Sequence, residues 1–168
     1  LNTLLKNRRL FHGLLRSAYL AQQPVTKGKP VIRHLPFFLS DDHRFRSLPA
    51  IVKTPFRDRW KRLEKEYAVP APRLTVALFG GCLIDFVYPH LAETFLKLMH
   101  KYNIQVVYPM AQTCCGLPAA SAGEIETAKT VMRQNVDAFT GNDAYGDADY
   151  IVTLCASCAS HLKKHYVK

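Results

Sequence analysis

Five cysteines carry the chemistry this 168-residue chain is suited to: Cys82, Cys114, Cys115, Cys155 and Cys158. Five is odd, so a disulfide set leaves one thiol over, and the adjacent pair Cys114 and Cys115 can bond to each other only with strain. Cys155-Ala156-Ser157-Cys158 has the C-x-x-C form of thiol–disulfide enzymes, where a helix N-terminus lowers a thiol pKa, but that leaves the other three without a role. Zinc takes four thiolates in a closed tetrahedron and leaves the fifth spare. Iron–sulfur chemistry suits soft thiolates, and a cluster of several irons has room for more than four sulfurs. The plain alternative is five buried core cysteines, each behaving as a small hydrophobe.

The positions of the cysteines argue against that alternative. Leu74–Phe79 is a short apolar run that ends in Gly80-Gly81-Cys82, a buried strand followed by a tight turn. Ile104–Tyr108 is a second strand, stopped by Pro109, with Cys114-Cys115-Gly116 beyond it. Tyr150–Leu154 is a third, running into Cys155. The Pro89–Tyr102 segment, with Leu91, Phe95, Leu98 and Tyr102 on one face, predicts a helix between the first two strands. Ser121–Thr140 predicts another between the second and third, opened by the S-x-x-E capping box of Ser121 and Glu124. A last helix is expected over Ala159–Tyr166. Strand and helix in alternation, with apolar strands, imply a parallel sheet. Cys82 to Cys114 is 32 residues and Cys115 to Cys155 is 40, each close to one βαβ unit of about 30 or more residues. Each unit returns the chain to the same sheet edge. With strand order 2-1-3, all five sulfurs converge at the switch point where open α/β sheets bind ligands. Glycines 80, 81 and 116 permit tight turns and close backbone approach there.

The charge is divided unevenly. Residues 1–73 hold 16 Lys+Arg against 5 Asp+Glu, a net +11; residues 74–168 hold 7 against 8, a net −1, together the +10 of the chain. The basic part has no nucleic-acid motif, and no nucleic-acid partner is expected. Residues 1–22 predict a basic helix, with Leu4, Phe11, Leu14, Leu15 and Ala18 near one face and Pro24 ending it. Such a helix packs on a partner or on its own domain more often than on a membrane. Residues 30–56 interleave four prolines with Phe37, Phe38, Leu39, Phe45, Leu48, Ile51 and Phe56, and read as a segment lying along a surface. Residues 56–67 predict a charged helix carrying Trp60, Leu63 and Tyr67, and Pro70-Ala71-Pro72 marks the boundary. The fold class is therefore α/β: a small three-layer, Rossmann-like domain over 74–168, after a basic helical and Pro-rich extension over 1–73. No apolar run approaches a membrane span. Leu1 is not a start methionine, and the chain reads as a segment of a longer protein.

Cys82, then Cys114-Cys115-Gly116-Leu117-Pro118, then Cys155-Ala156-Ser157-Cys158 resembles the CCG, or cysteine-rich domain, family over residues 74–168. That family includes the heterodisulfide reductase B subunit, the glycolate oxidase iron–sulfur subunit and the lactate-utilisation iron–sulfur proteins. The resemblance implies a [4Fe–4S] cluster, of non-cubane kind in the reductases, held by Cys82, Cys114, Cys115, Cys155 and Cys158 with Gly116 at the cofactor. Some relatives hold zinc at such a site, so zinc, or no metal in the isolated segment, stays open beside the cluster, as does a thiol–disulfide enzyme. It further implies electron transfer in an oxidoreductase of lactate, glycolate or heterodisulfide type. Its implied partners are iron–sulfur or flavin subunits, an upstream ferredoxin-like module and a downstream second CCG domain. The implied location is the cytoplasm, with peripheral membrane contact through the complex. Leu48–Trp60 is similar to connectors in fused lactate-utilisation proteins. The last cysteine interval is long for the reductase pattern, and the polar loop Asn142–Asp147 absorbs the excess. Among neighbours, Asp85 is expected as a helix N-terminal acid. His90 and His161 are expected as packed or surface residues rather than ligands; Thr113 and Ser157 flank cysteines, and hydrogen bonding to sulfur and turn capping account for them equally well.

Overall fold

A computed structural model describes residues 2–26, 29, 31–32, 48–141 and 147–166. The elements run α1 (Asn2–Lys6), α2 (Arg8–Thr26), β1 (Val31–Ile32), β2 (Leu48–Pro49), α3 (Phe56–Glu66), β3 (Leu74–Phe79), α4 (Gly81–Phe86), α5 (Pro89–Lys101), β4 (Ile104–Val107), α6 (Leu117–Ser121), α7 (Ile125–Thr140), β5 (Tyr150–Thr153) and α8 (Ala156–His165). The fold is mixed α/β and mostly helical, built on one small parallel sheet.

That sheet has the order β4-β3-β5, which is second, first, third along the chain, as expected. Leu74 to Ala77 of β3 pair with Ile104 to Val107, and Val76 to Phe79 pair with Tyr150 to Thr153, all in parallel. Three strands make a smaller sheet than a full dinucleotide-binding domain has. Because strand side chains alternate, β3 feeds two cores. Val76 and Leu78 pack with Phe56, Trp60, Leu63, Ile84, Ala92, Leu96, Val106 and Tyr108 on one face. Ala77 and Phe79 pack with Leu5, Ala119, Ala128, Val131, Phe139, Cys114, Cys115 and Cys158 on the other. The first face holds an aromatic trio: Phe56 meets Tyr108 edge-on at 5.1 Å, and Trp60 lies 5.5 Å from the same ring. Such pairs contribute about 0.5–1.5 kcal/mol each beyond their buried area.

Two stretches ahead of Pro70 join these cores. Helix α3 supplies Phe56, Trp60 and Leu63. The N-terminal helices dock through Leu5, through Gln134 Nε2 donating to the Lys6 carbonyl at 2.7 Å, and through His12, whose ring lies 5.3 Å from that of Phe86. The basic helix therefore packs on its own domain.

Several local expectations change. The helix expected over 1–22 is two helices, broken at Asn7, whose Oδ1 accepts from the Leu10 amide at 3.1 Å and caps α2. Helices on either side of a break need not share one face, and Leu14 is exposed while Leu5 and His12 are buried. Pro24 does not end α2, which runs on to Thr26; so near the C-terminus the missing amide costs one hydrogen bond. Residues 31–32 and 48–49 form a short antiparallel ladder. Residues 33–47, with Phe37, Phe38, Leu39 and Phe45, lie outside the described residues, as do 142–146 of the polar loop. The Gly80-Gly81-Cys82 turn is the start of a short helix, α4. The capping box does not form: Ser121 ends α6, Gly123 turns the chain at φ +80°, and Glu124 sits at the α7 N-cap with no side-chain cap bond. Pro118 in the first turn of α6 is the signal for that extra helix. Among the described residues no helix is long and apolar enough to cross a membrane.

Candidate functional site

All three parallel strands end at one edge, and each cysteine-bearing segment starts there. Cys82 is in the first turn of α4, Cys114 and Cys115 are in the loop between β4 and α6, Cys155 is the N-cap of α8, and Cys158 is in its first turn. Cys114, Cys115 and Cys158 are buried; Cys82 and Cys155 are half-buried, and all five are free thiols. Cys82 Sγ is 4.0 Å from Cys114 Sγ. The acidity of each remaining thiol is influenced by a neighbouring cysteine: Cys114 and Cys115 by each other, Cys158 by Cys115, and Cys155 by Cys158. Among the described residues no three or more His, Cys, Asp or Glu side chains are gathered to hold a metal ion.

The contacts order the thiol acidities. The hydrogen bond with Cys114 lowers Cys82, outweighing its burial. At Cys114 the bond with Cys115 lowers and the bond with Cys82 raises, and with burial the thiol stands at about 12. Cys115 is pushed up to about 11 by its bond with Cys114 and by burial, against the opposing contact with Cys158. Cys158 is raised strongly by its bond with Cys115 and by burial, and Cys155 is raised by burial. In the metal-free chain the most acidic thiol is Cys82.

Two glycines shape the approach. Gly81 has φ +58°, and a Cβ there stands 3.2 Å from the Phe79 ring and 3.4 Å from Cys158 Sγ. Gly116 has φ +91°, and a Cβ there meets the Ala128 carbonyl at 3.3 Å. Side chains are disfavoured at both by left-handed backbone as well as by space.

The loop carrying Cys114 and Cys115 is held by a buried polar network. Gln112, fully buried, donates from Nε2 to the Leu78 carbonyl at 3.0 Å and accepts from the Gly80 amide at 2.8 Å. Arg57 of α3 donates to the Gln112 carbonyl at 3.3 Å and pairs through Nε with Asp85. Asp85 also accepts from the Arg57 amide at 2.9 Å and the Tyr108 hydroxyl at 3.1 Å. On the opposite side, Asn135 of α7 and Tyr166 after α8 bond the backbone of residues 113–115.

Asp85 is therefore not a helix N-terminal acid: it lies in the second half of α4, fully buried, and serves the ion pair. Ser157 is exposed in the first turn of α8, and His90 is exposed on α5 with its ring against Tyr88. Thr113 Oγ1 and both ring nitrogens of buried His161 have no hydrogen-bond partner among the described residues. Arg57, Gln112, Asn135 and Tyr166 are missed by sequence reasoning; of these, Asn135 carried a signal, a polar residue at helical spacing from Ala128, Val131 and Phe139 on the buried stripe of α7. Five soft sulfurs, three of them buried, two glycines against the site and idle buried polar atoms beside Cys114 and after Cys158 form a donor set that fits a thiolate-bound iron–sulfur cluster.

The model of the CCG, cysteine-rich domain family matches residues 76–163. An uncharacterized iron–sulfur protein of Methanococcus maripaludis is 30% identical over 147 residues, 88% of this chain and 28% of that protein. Lactate utilization protein A of Geobacillus thermodenitrificans is 40% identical over 92 residues, 55% of this chain and 36% of that protein. An uncharacterized iron–sulfur protein of Methanocaldococcus jannaschii is 34% identical over 106 residues, 63% of this chain and 21% of that protein. The chain thus spans between about a fifth and somewhat over a third of the length of these curated relatives. No solved structure matches it.

Proposed function

We propose, from the premise that this chain belongs to the CCG cysteine-rich domain family, that it binds a [4Fe–4S] cluster and passes electrons within an oxidoreductase subunit. The observation that carries this is the placement of all five cysteines, Cys82, Cys114, Cys115, Cys155 and Cys158, in the segments that follow the three parallel strands at one sheet edge, with Cys82 Sγ 4.0 Å from Cys114 Sγ. Those five residues would hold the cluster, with Gly116 letting the backbone come close. When bound, the cluster supplies one-electron exchange. The chain's part is to present the thiolates, keep water from three of them and fix the loop that bears two. We read the three strands and their helices as a small three-layer, Rossmann-like unit arranged for that purpose.

The name of one relative, lactate utilization protein A, supports a setting in lactate use; the reading extends from there to 2-hydroxy-acid oxidation of lactate or glycolate type, with heterodisulfide-type reduction as its counterpart in the family. Since the chain covers only part of each relative, its partners are proposed as iron–sulfur or flavin subunits, a ferredoxin-like module before it and a second CCG domain after it. The proposed location is cytoplasmic.

The test is to purify the full chain anaerobically, quantify iron and acid-labile sulfide, and record EPR spectra before and after reduction. Iron and sulfide in near-equal amounts with a redox-dependent signal are expected, and Cys114→Ser removes most of both. A folded chain that takes up neither element on reconstitution overturns the reading, and stoichiometric zinc without a redox signal replaces it with a structural zinc site.

A further inference from the structure

Cys114 and Cys115 are the two ligands no helix holds, so something else must fix where their thiols point. The side chain of Asn135 is 1% exposed and uses every group it has. Its Oδ1 accepts from the Thr113 amide at 2.8 Å, and its Nδ2 donates to the Cys114 carbonyl at 2.8 Å and to the Tyr166 hydroxyl at 3.0 Å. The Tyr166 hydroxyl donates in turn to the Cys115 carbonyl at 2.8 Å. The pattern closes in one sense only. Turning the amide over would set its NH2 against the Thr113 N–H and its oxygen against the Cys114 carbonyl. Burial raises the Tyr166 pKa and keeps the phenol a donor.

We propose that Asn135 and Tyr166 are a positioning clamp that fixes the Cys114–Cys115 backbone and, on the iron–sulfur reading above, sets the reduction potential of the cluster those cysteines bind. Both cysteine carbonyls carry their negative ends next to the ligands. N–H and O–H dipoles aimed at those oxygens offset that charge, which favours the reduced and more negative cluster. Removing a donor leaves a buried carbonyl uncompensated, so the potential falls. The two residues act as one unit, because Asn135 Nδ2 also holds the Tyr166 oxygen.

Tyr166→Phe keeps the ring and removes only the hydroxyl. In the anaerobically purified full chain, it is expected to load as much iron and sulfide as the parent. At a fixed potential its oxidised-to-reduced ratio should rise about threefold or more, the equivalent of one net hydrogen bond, with a changed EPR line shape. Asn135→Ala is expected to shift the ratio the same way, and the double variant by less than the sum. Unchanged potential and line shape in a loaded Tyr166→Phe chain, with only thermal stability reduced, overturns the clamp as a tuning device. If the parent chain binds no iron or sulfide, the cluster reading has failed on its own, and the clamp is judged on the metal-free folded chain. There, alkylation of Cys115 relative to Cys82, resolved by peptide mass spectrometry, rises severalfold in Tyr166→Phe if the clamp positions the loop. An unchanged ratio refutes it.

Discussion

Arg57 of α3 and Asp85 of α4 form an ion pair with 7% and 0% of their side chains exposed, and the same guanidinium reaches the Gln112 carbonyl two residues before Cys114. A helix outside the family-matched residues 76–163 thereby braces the cysteine loop. Breaking a buried pair costs more than the pair itself contributes, because one charge is left without a partner. Arg57→Met is expected to lower stability by about 3–5 kcal/mol in urea unfolding at neutral pH. Adding Asp85→Leu should recover only part of that loss, because the Arg57 amide and the Tyr108 hydroxyl then lack their acceptor. A single variant as stable as the parent would show that Asp85 does not stay charged in the fold.

Gly81→Ala tests the backbone at the start of α4. Alanine at φ +58° costs about 1–2 kcal/mol from backbone strain alone, and its methyl group presses on the Phe79 ring and Cys158 Sγ. A lower unfolding midpoint together with reduced iron content is expected. Alanine accepted with neither change would mean that this turn can relax without moving Cys82.

His12 links acidity to docking of the N-terminal helix. Burial, followed by the nearby Arg57, Arg8 and Arg16, lowers its pKa to about 3, against 6.5 for an ordinary histidine. The unfolded chain therefore binds the proton more readily than the native one. Stability falls as pH drops below about 6.5, and keeps falling toward about 3. Urea midpoints of the parent and of His12→Leu, compared from pH 7.5 down to pH 5, should diverge below pH 6.5, with the parent losing more. Parallel curves would place His12 in water.

Metal loading should also rise with pH, but in a higher range. Cys114 and Cys115 titrate at about 12 and about 11 in the metal-free fold, so protons compete with iron for both sulfurs at neutral pH. Iron retained per chain after anaerobic reconstitution at limiting iron should rise from pH 7 to pH 9. A flat profile would point to thiols already ionised before metal arrives.

Much of the fold was legible because its signals are local. The run Leu74–Phe79 and the segment Pro89–Tyr102 matched β3 and α5 to within a residue, but the face of α5 did not match: Leu91, Leu98 and Tyr102 are exposed, and Pro89, Ala92 and Leu96 are buried instead. The intervals between cysteines led to a shared edge without any knowledge of packing, and the strand order 2-1-3 assumed beside them is the one the sheet has. Short elements were less legible. Helices α4 and α6 have six and five residues, too few turns for a period to emerge, and the S-x-x-E motif at Ser121 drew the α7 start to the wrong place.

What the sequence determined by itself is where the sulfurs go: types, spacing and strand–turn–helix alternation are enough to bring five cysteines to one edge. What only the tertiary structure decided is what holds them there. Asn135 bonds Cys114 across 21 residues, Arg57 bonds Gln112 across 55, and Tyr166 bonds Cys115 across 51. Each is a polar residue whose partner lies far away in sequence. It becomes a clamp because burial removes water and leaves one set of partners within reach, a condition set by the packed helices around it and not by local spacing.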